Sequence, residues 1–263
     1  MANKYLARED APFGSEIWQT LDAAMIAAAK SELVGRRLLH VQGPFGLGLK
    51  AVPLQDEELE TGLVSSPMLP VHWIQKTFTL GIRDLSHYEQ QAITLNTSVV
   101  ENTAIACAQR EDYMIFHGAA GVPGLLNVEG RHELSLSDWT EVGTAANDLI
   151  QALTKLDGAG FHGPYTLALS PSRYNLLLRR YPRGNQSEIE HVRTMVTDGV
   201  FKAPILESGG VLLASERRYA SLILGQDLTI GFIGPVGDKI EFSMSESLTL
   251  RIRHPEAICV LGE

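Results

Sequence analysis

One stretch limits the folds open to this chain more than any other: Ser98 to Gly118 reads as a single long helix with an abrupt stop. Ser98 is placed to cap the first turn and Glu101 to reach back to it, the pattern of a capping box. Behind the cap, Val100, Ala104, Cys107, Ala108, Met114 and Ile115 recur at helical spacing, while Asn102, Gln109 and Arg110 fall off that stripe. The stripe is narrow and mostly small. Small side chains let a second element approach closely, so this helix is suited to be a spine under a sheet rather than a free surface helix. Gly118 supplies a left-handed stop.

The rest of the chain offers elements of both kinds. Trp18, Leu21, Met25, Ala28 and Leu33 make a helical face from Ser15 to Gly35, preceded by an arm with no period and followed by Arg36, Arg37 and a short strand, Leu38 to Val41. Gly43-Pro44-Phe45-Gly46-Leu47-Gly48 precedes Lys50 without the spacing of a phosphate loop, and reads as a turn. Residues 51–70 carry Asp56, Glu57, Glu58 and Glu60, then Pro67 and Pro70; with a strand from Val71 to Leu80 they form a long hairpin arm. Asp138 and Glu141 mark a second helix with Trp139, Val142, Ala146, Leu149, Leu153 and Leu156 on its apolar face. A strand from Tyr165 to Leu169 follows, then a helix capped by Ser170 with Pro171 in its first turn, and a helix carrying Ile189, Val192 and Val196. The C-terminal third is strand-rich: Val211–Ala214, Tyr219–Leu224, Leu228–Phe232 and Ala257–Leu261. Its clearest signal is Ile240, Phe242, Met244, Leu248, Leu250 and Ile252 at alternate positions, interrupted by Glu246. This order of elements predicts mixed layers of sheet and helix, an α+β fold.

Chemistry is hard to find in the chain. The eight histidines form no pair at metal-ligand spacing, and no GxSxG elbow is present. Glu111, Asp112 and His117 could be an acid-base group, but on one helix end they point in different directions, which fits a solvated or interface-paired terminus. Glu188, Glu190 and His191 read as a charged helix face. A net charge of −9 over 263 residues argues against a nucleic-acid-binding surface, though not against a local basic patch. The N-terminal sixteen residues lack a signal-peptide core, and no apolar run would span a bilayer. Cys107 and Cys259 sit on core faces, as expected in a reducing compartment, so the expected location is the cytoplasm.

Taken in order, Gly35-Arg36-Arg37, Gly43-Pro44-Phe45-Gly46, Glu111-Asp112 with Ile115-Phe116-His117-Gly118, Gly121-Val122-Pro123-Gly124-Leu125-Leu126, Gly163-Pro164-Tyr165, Glu188-Ile189-Glu190-His191-Val192-Arg193, Gly225-Gln226-Asp227-Leu228-Thr229-Ile230-Gly231 and Pro255-Glu256-Ala257 resemble the encapsulins, the linocin-like family 1 shell proteins of bacterial nanocompartments. The resemblance implies the Hong Kong 97-like capsid fold of tailed phages. It divides the chain into an N-terminal arm and helix with the start of a peripheral domain (1–47), an extended loop (48–79), a peripheral domain with the spine helix (80–130), an axial domain (131–221) and the remaining peripheral strands (222–263).

The same resemblance implies a shell protein and not an enzyme. Copies would close into an icosahedral nanocompartment around a cargo enzyme, a ferritin-like iron-storage protein or a dye-decolourising peroxidase, recruited by its C-terminal peptide. The peptide face would involve Ala29, Leu33, Arg36, His40 and Ile230. Arg36 matches the family pattern, Ala29 and His40 stand where relatives can carry an aromatic and an acid, and Leu33 and Ile230 could equally be core. A fivefold pore loop would comprise Tyr181, Pro182, Arg183, Gly184, Asn185, Gln186, Ser187 and Glu188, small and polar enough at its centre to pass ions. Arg83 stands where some relatives hold flavin with a tryptophan, so no flavin or other cofactor is expected, nor a metal, nucleic acid or membrane partner. The rival expectations are a phage or prophage major capsid protein, and the protease or bacteriocin role sometimes attached to the family.

Overall fold

The computed structural model describes residues 4–91, 94–182 and 184–262. Two short 3-10 turns, Lys4–Leu6 and Arg8–Asp10, replace the extended arm expected at the start. Helix α1 (Ser15–Glu32), the short α2 (Gly35–Leu38) and strand β1 (His40–Gln42) follow. The hairpin arm carries β2 (Ala51–Pro53), β3 (Glu57–Glu60), β4 (Leu63–Ser65) and β5 (Met68–Pro70), and the chain returns on β6 (His72–Gly81). Next come α3 (Ile82–Gln91), α4 (Ser98–His117), β7 (His132–Ser135), α5 (Thr144–Gly158) and β8 (Tyr165–Leu169). Helices α6 (Pro171–Leu176) and α7 (Glu188–Met195) precede β9 (Val200–Lys202), β10 (Gly210–Ala214), β11 (Ala220–Val236), β12 (Lys239–Ile252) and β13 (Ile258–Gly262).

These elements form two compact units. The first holds the chain up to Leu33, Gly43–Glu111 and Leu224–Leu248. Its β12 pairs antiparallel with β6 from Lys239↔Gly81 to Leu248↔His72. The predicted alternation is realised: Ile240, Phe242, Met244 and Leu248 are buried, as are Leu80 opposite Ile240, Phe78 opposite Phe242 and Ile74 opposite Glu246. Phe78 stacks on Phe242 at 5.1 Å, and Phe13 and Trp18 each approach the same ring at 5.9 Å. Glu246, which breaks the pattern, is nevertheless buried. Its charge, second to burial, pushes the Cys107 thiol of α4 up to about 12.

Two expectations in this unit fail, and one helix goes unannounced, for identifiable reasons. Helix α4 is capped one residue earlier than Ser98, by Thr97, whose carbonyl accepts from the Glu101 N–H at 3.0 Å and whose hydroxyl donates to the Glu101 carboxylate at 2.7 Å. Strand β11 runs unbroken through Gly225-Gln226-Asp227, which was expected to separate two strands, Tyr219–Leu224 and Leu228–Phe232. Gln226 is held in the strand by its N–H, which donates to Ser247 Oγ at 2.8 Å, and by its amide, which donates to the Ser245 carbonyl at 3.2 Å. Helix α3 has no apolar stripe to announce it; Leu85 is its one buried residue.

The second unit holds Val34–Gln42, Asp112–Ile223 and Thr249–Glu263. Its five-stranded sheet has the order β7-β13-β10-β8-β9, with β10 antiparallel to β13 and β8, and β7 and β9 parallel to their neighbours. Leu149, Leu156, Leu167, Leu177, Val192 and Leu212 belong to one buried cluster on this sheet. Helix α5 starts at Thr144, not after Asp138. Trp139 is instead fixed in the preceding turn by Asp148, whose Oδ2 accepts from Trp139 Nε1 at 2.8 Å and from Ser137 N at 2.7 Å.

Asp112 also departs from its expected solvated role. It is buried, and its carboxylate accepts from the backbone of Val34 at 2.9 Å and Gly35 at 2.8 Å, capping α2. That cap converts the expected helix stop at Gly35 into a new helical start, and displaces the following strand to His40–Gln42. Glu111 is buried as well. At the end of α4, Gly118 has φ +83°, and a methyl group there would lie 2.6 Å from the Val122 carbonyl.

Candidate functional site

The loop between α6 and α7 is built on a closed base. Arg180 and Ser187 form an antiparallel bridge, Tyr181 N donates to Gln186 O at 3.1 Å, and Glu188 N donates to Arg179 O at 2.9 Å. Arg179 secures the base: its guanidinium donates to the carbonyls of Leu176 at 2.9 Å and Thr140 at 2.7 Å, and to that of Trp139. From this base Pro182, Gly184, Asn185 and Gln186 project as exposed, uncharged residues. Arg183 lies outside the described residues. The loop then enters α7 through a capping box between Ser187 and Glu190, which holds the Glu190 carboxylate below its ordinary range.

Two of the expected loop residues face inward. Glu188 is fully buried, and its Oε1 accepts from Gly143 N at 2.9 Å and Ala146 N at 3.1 Å. It therefore supplies the anion at the N-terminus of α5, the position that Asp138 was expected to fill. Its Oε2 has no hydrogen-bond partner among the described residues. Tyr181 lies beside it, with its hydroxyl 2.9 Å from His191 Nδ1; burial and then the Glu188 charge push the phenol up. The loop is thus a polar tip on an anchored, partly anionic root. No local pattern in the sequence distinguishes a carboxylate that caps its own helix from one that caps another 45 residues upstream.

The five residues expected on a peptide face divide between the units. In the first, Ala29 and Leu33 lie one helical turn apart and are 6% and 8% exposed, and Ile230 is fully buried. The N-terminal turns cross this strand: Arg8 Nε donates to the Ile230 carbonyl at 2.7 Å, its guanidinium pairs with Asp22 at 2.5 and 2.8 Å, and it lies over Trp18. Sequence reading missed this anchor because Arg8 sits in a stretch without periodicity. In the second unit, Arg36 is half-buried on α2 and His40 is exposed at the start of β1. Neither thiol is poised for chemistry: Cys259 is buried and pushed up to about 11, as Cys107 is to about 12. Among the described residues, no His, Cys, Asp or Glu side chains gather into a group of three that could hold a metal ion. No described helix is long and apolar enough to cross a membrane.

A family model described as an encapsulating protein for peroxidase matches residues 3–249. The type 1 encapsulin shell protein EncA of Myxococcus xanthus is 33% identical, over 98% of this chain and 96% of its own. Among solved structures, a virus-like particle from Pyrococcus furiosus superposes with a TM-score of 0.78 at 25% identity, over 94% of this chain and 99% of that one. The capsid of Myoviridae phage XM1 superposes at 0.64 and 15% identity, over 86% and 90%, which extends the likeness of fold to phage heads. On a Hong Kong 97-like fold, and with a family match running nearly from end to end, the chain belongs to the encapsulin shell proteins.

Proposed function

We infer that copies of this chain close into an icosahedral nanocompartment that encloses an enzyme in the cytoplasm. The observation that carries this reading is the match to shell proteins along nearly the whole chain, on a fold shared with a virus-like particle. The function is one of geometry: identical subunits with complementary edges form a closed container, and catalysis belongs to the contents. The family description favours a peroxidase as cargo, with a ferritin-like iron-storage protein as the second class.

Cargo enters by a C-terminal peptide that docks on an inner face near Ala29, Leu33, Arg36, His40 and Ile230. Within the first unit, the buried Ala29, Leu33 and Ile230 support this reading as apolar lining; within the second, the exposed His40 and half-buried Arg36 support it as polar groups. The loop tip lines a fivefold pore, and its described residues Pro182, Gly184, Asn185 and Gln186, uncharged and exposed, suit the passage of small ions. The arm over 48–79 reaches a neighbouring copy. Arg83, exposed in the first turn of α3, offers no ring on which a flavin could stack, so the shell carries none.

Negative-stain microscopy and mass spectrometry of particles purified from the native host test the reading. Closed particles containing one dominant enzyme are expected. Particles filled with DNA would assign a phage head, and a soluble monomer would remove the shell altogether. A flavin absorption spectrum in the purified particle would count against the Arg83 reading.

A further inference from the structure

The second unit carries a group of cations that the loop site and the expected peptide face do not use. Arg217 and Arg218 come from the turn before β11, and Arg251, Arg253 and His254 from the end of β12 and the residues after it. Hydrogen bonds draw them together: Arg253 Nη1 donates to the Arg217 carbonyl at 3.2 Å and to Ser221 Oγ at 3.1 Å. Arg217 is oriented from the other side by Gln42, whose Oε1 accepts from its Nη2 at 3.2 Å. Arg218 lies over the Tyr219 ring at 4.8 Å, and His254 meets the edge of that ring at 5.7 Å. Between them is a surface cavity of about 650 Å³ lined by Glu216, Arg217, Arg218, Arg253 and His254.

The charges in this cavity do not balance. Glu216 pairs with Arg218 at 2.8 Å, whereas Arg217 and Arg253 of the lining, and Arg251 outside it, make no ion pair among the described residues. Partial burial, then the like charges of Arg251 and Arg217, lower the affinity of Arg253 for its proton. Such uncompensated repulsion stands out in a chain of net charge −9. Guanidinium groups with unused N–H donors, fixed in position by amide, backbone and hydroxyl acceptors, match the oxygens of a tetrahedral dianion. A short cluster in one open surface hollow, rather than a long basic stripe, suits a small anion better than a polynucleotide.

We propose that this cavity binds a phosphoryl anion, either free phosphate or a small phosphomonoester, between Arg217 and Arg253. Isothermal titration of the full-length chain, in the assembly state in which it purifies, with inorganic phosphate and with glycerol phosphate at constant ionic strength tests the site. One saturable site per chain is expected, with a dissociation constant below about 1 mM. Arg217→Gln, an exposed position, should weaken it at least about tenfold, and Arg253→Gln at least as much. Lys202→Gln removes the same charge outside the cavity and should change affinity by less than about twofold. Equal affinity for the two probes assigns the free ion, and tighter binding of glycerol phosphate assigns the ester. Absence of saturable binding to the wild-type chain, or equal loss in Lys202→Gln and Arg217→Gln, would overturn the proposal. So would binding confined to oligonucleotides and falling steeply with salt.

Discussion

Strands β8 and β10 in the second unit and strands β3 and β4 in the arm of the first are of similar length and opposite character. Every residue of β8 and β10 is buried, and each strand has neighbours on both edges. Every residue of β3 is exposed, and β3 and β4 pair only with each other. Yet the arm is not purely polar: Leu59, Leu63, Val64 and Met68 are all more than half exposed. A two-stranded ribbon is marginal on its own in water, and each such side chain would contribute about 1.5–3 kcal/mol if it were covered. The sheet is complete within one chain. The arm holds apolar surface in reserve, as a shell subunit needs if a neighbour is to supply the cover.

The most damaging change should fall on the self-sufficient side. Leu167→Ala hollows the centre of the five-stranded sheet and is expected to cost about 2–5 kcal/mol, read as a lower urea midpoint. An unchanged midpoint would mean that this sheet is not the stabilising core. Glu188→Ala should cost less, about 1–3 kcal/mol in thermal melting, by orphaning the N–H groups of Gly143 and Ala146. If Glu188→Gln melts like the wild type, a neutral acceptor suffices and the anion at the helix terminus is unimportant.

On the arm, Leu63→Ser combined with Val64→Ser should change the stability of the separated subunit by no more than about 0.5 kcal/mol. Sedimentation should nevertheless show the loss of closed particles; intact particles would erase the contrast between the two regions. The smallest effect belongs to Glu190. Its carboxylate is held below the ordinary range by the Ser187 N–H and hydroxyl, so the folded state binds its proton less readily than the unfolded chain. The stability it adds is complete above the unfolded value of about 4.3 and is lost as pH falls through the lower folded value. Melting curves of wild type and Glu190→Gln should therefore differ near neutrality and converge in acid.

How far the sequence could be read follows the range of the interactions involved. Tyr165–Leu169, the Ser170 cap and the alternation on β12 were legible because each depends on neighbours within a few residues. The starts of α2 and α5 were not, because Asp112 and Glu188 arrive from 77 and 45 residues away to cap them. The unbroken course of β11 was hidden for the same reason, since Ser245 and Ser247 hold Gln226 in line from another strand. At the candidate site the polar loop tip was visible as composition, whereas its anchored root was not. The family resemblance supplied the architecture that local patterns could not, and with it the shell.

The order of strands in the second sheet carries a consequence for biosynthesis. Strand β13 lies between β7 and β10, so residues 258–262 fill an interior position while both neighbours are made much earlier. Until the ribosome has delivered that segment, β7 has no partner and β10 has a bare edge. A nascent chain therefore cannot present a finished subunit to its siblings. In a protein whose success depends on many copies meeting edge to edge, a chain cut short before residue 258 lacks the strand that joins β7 to β10.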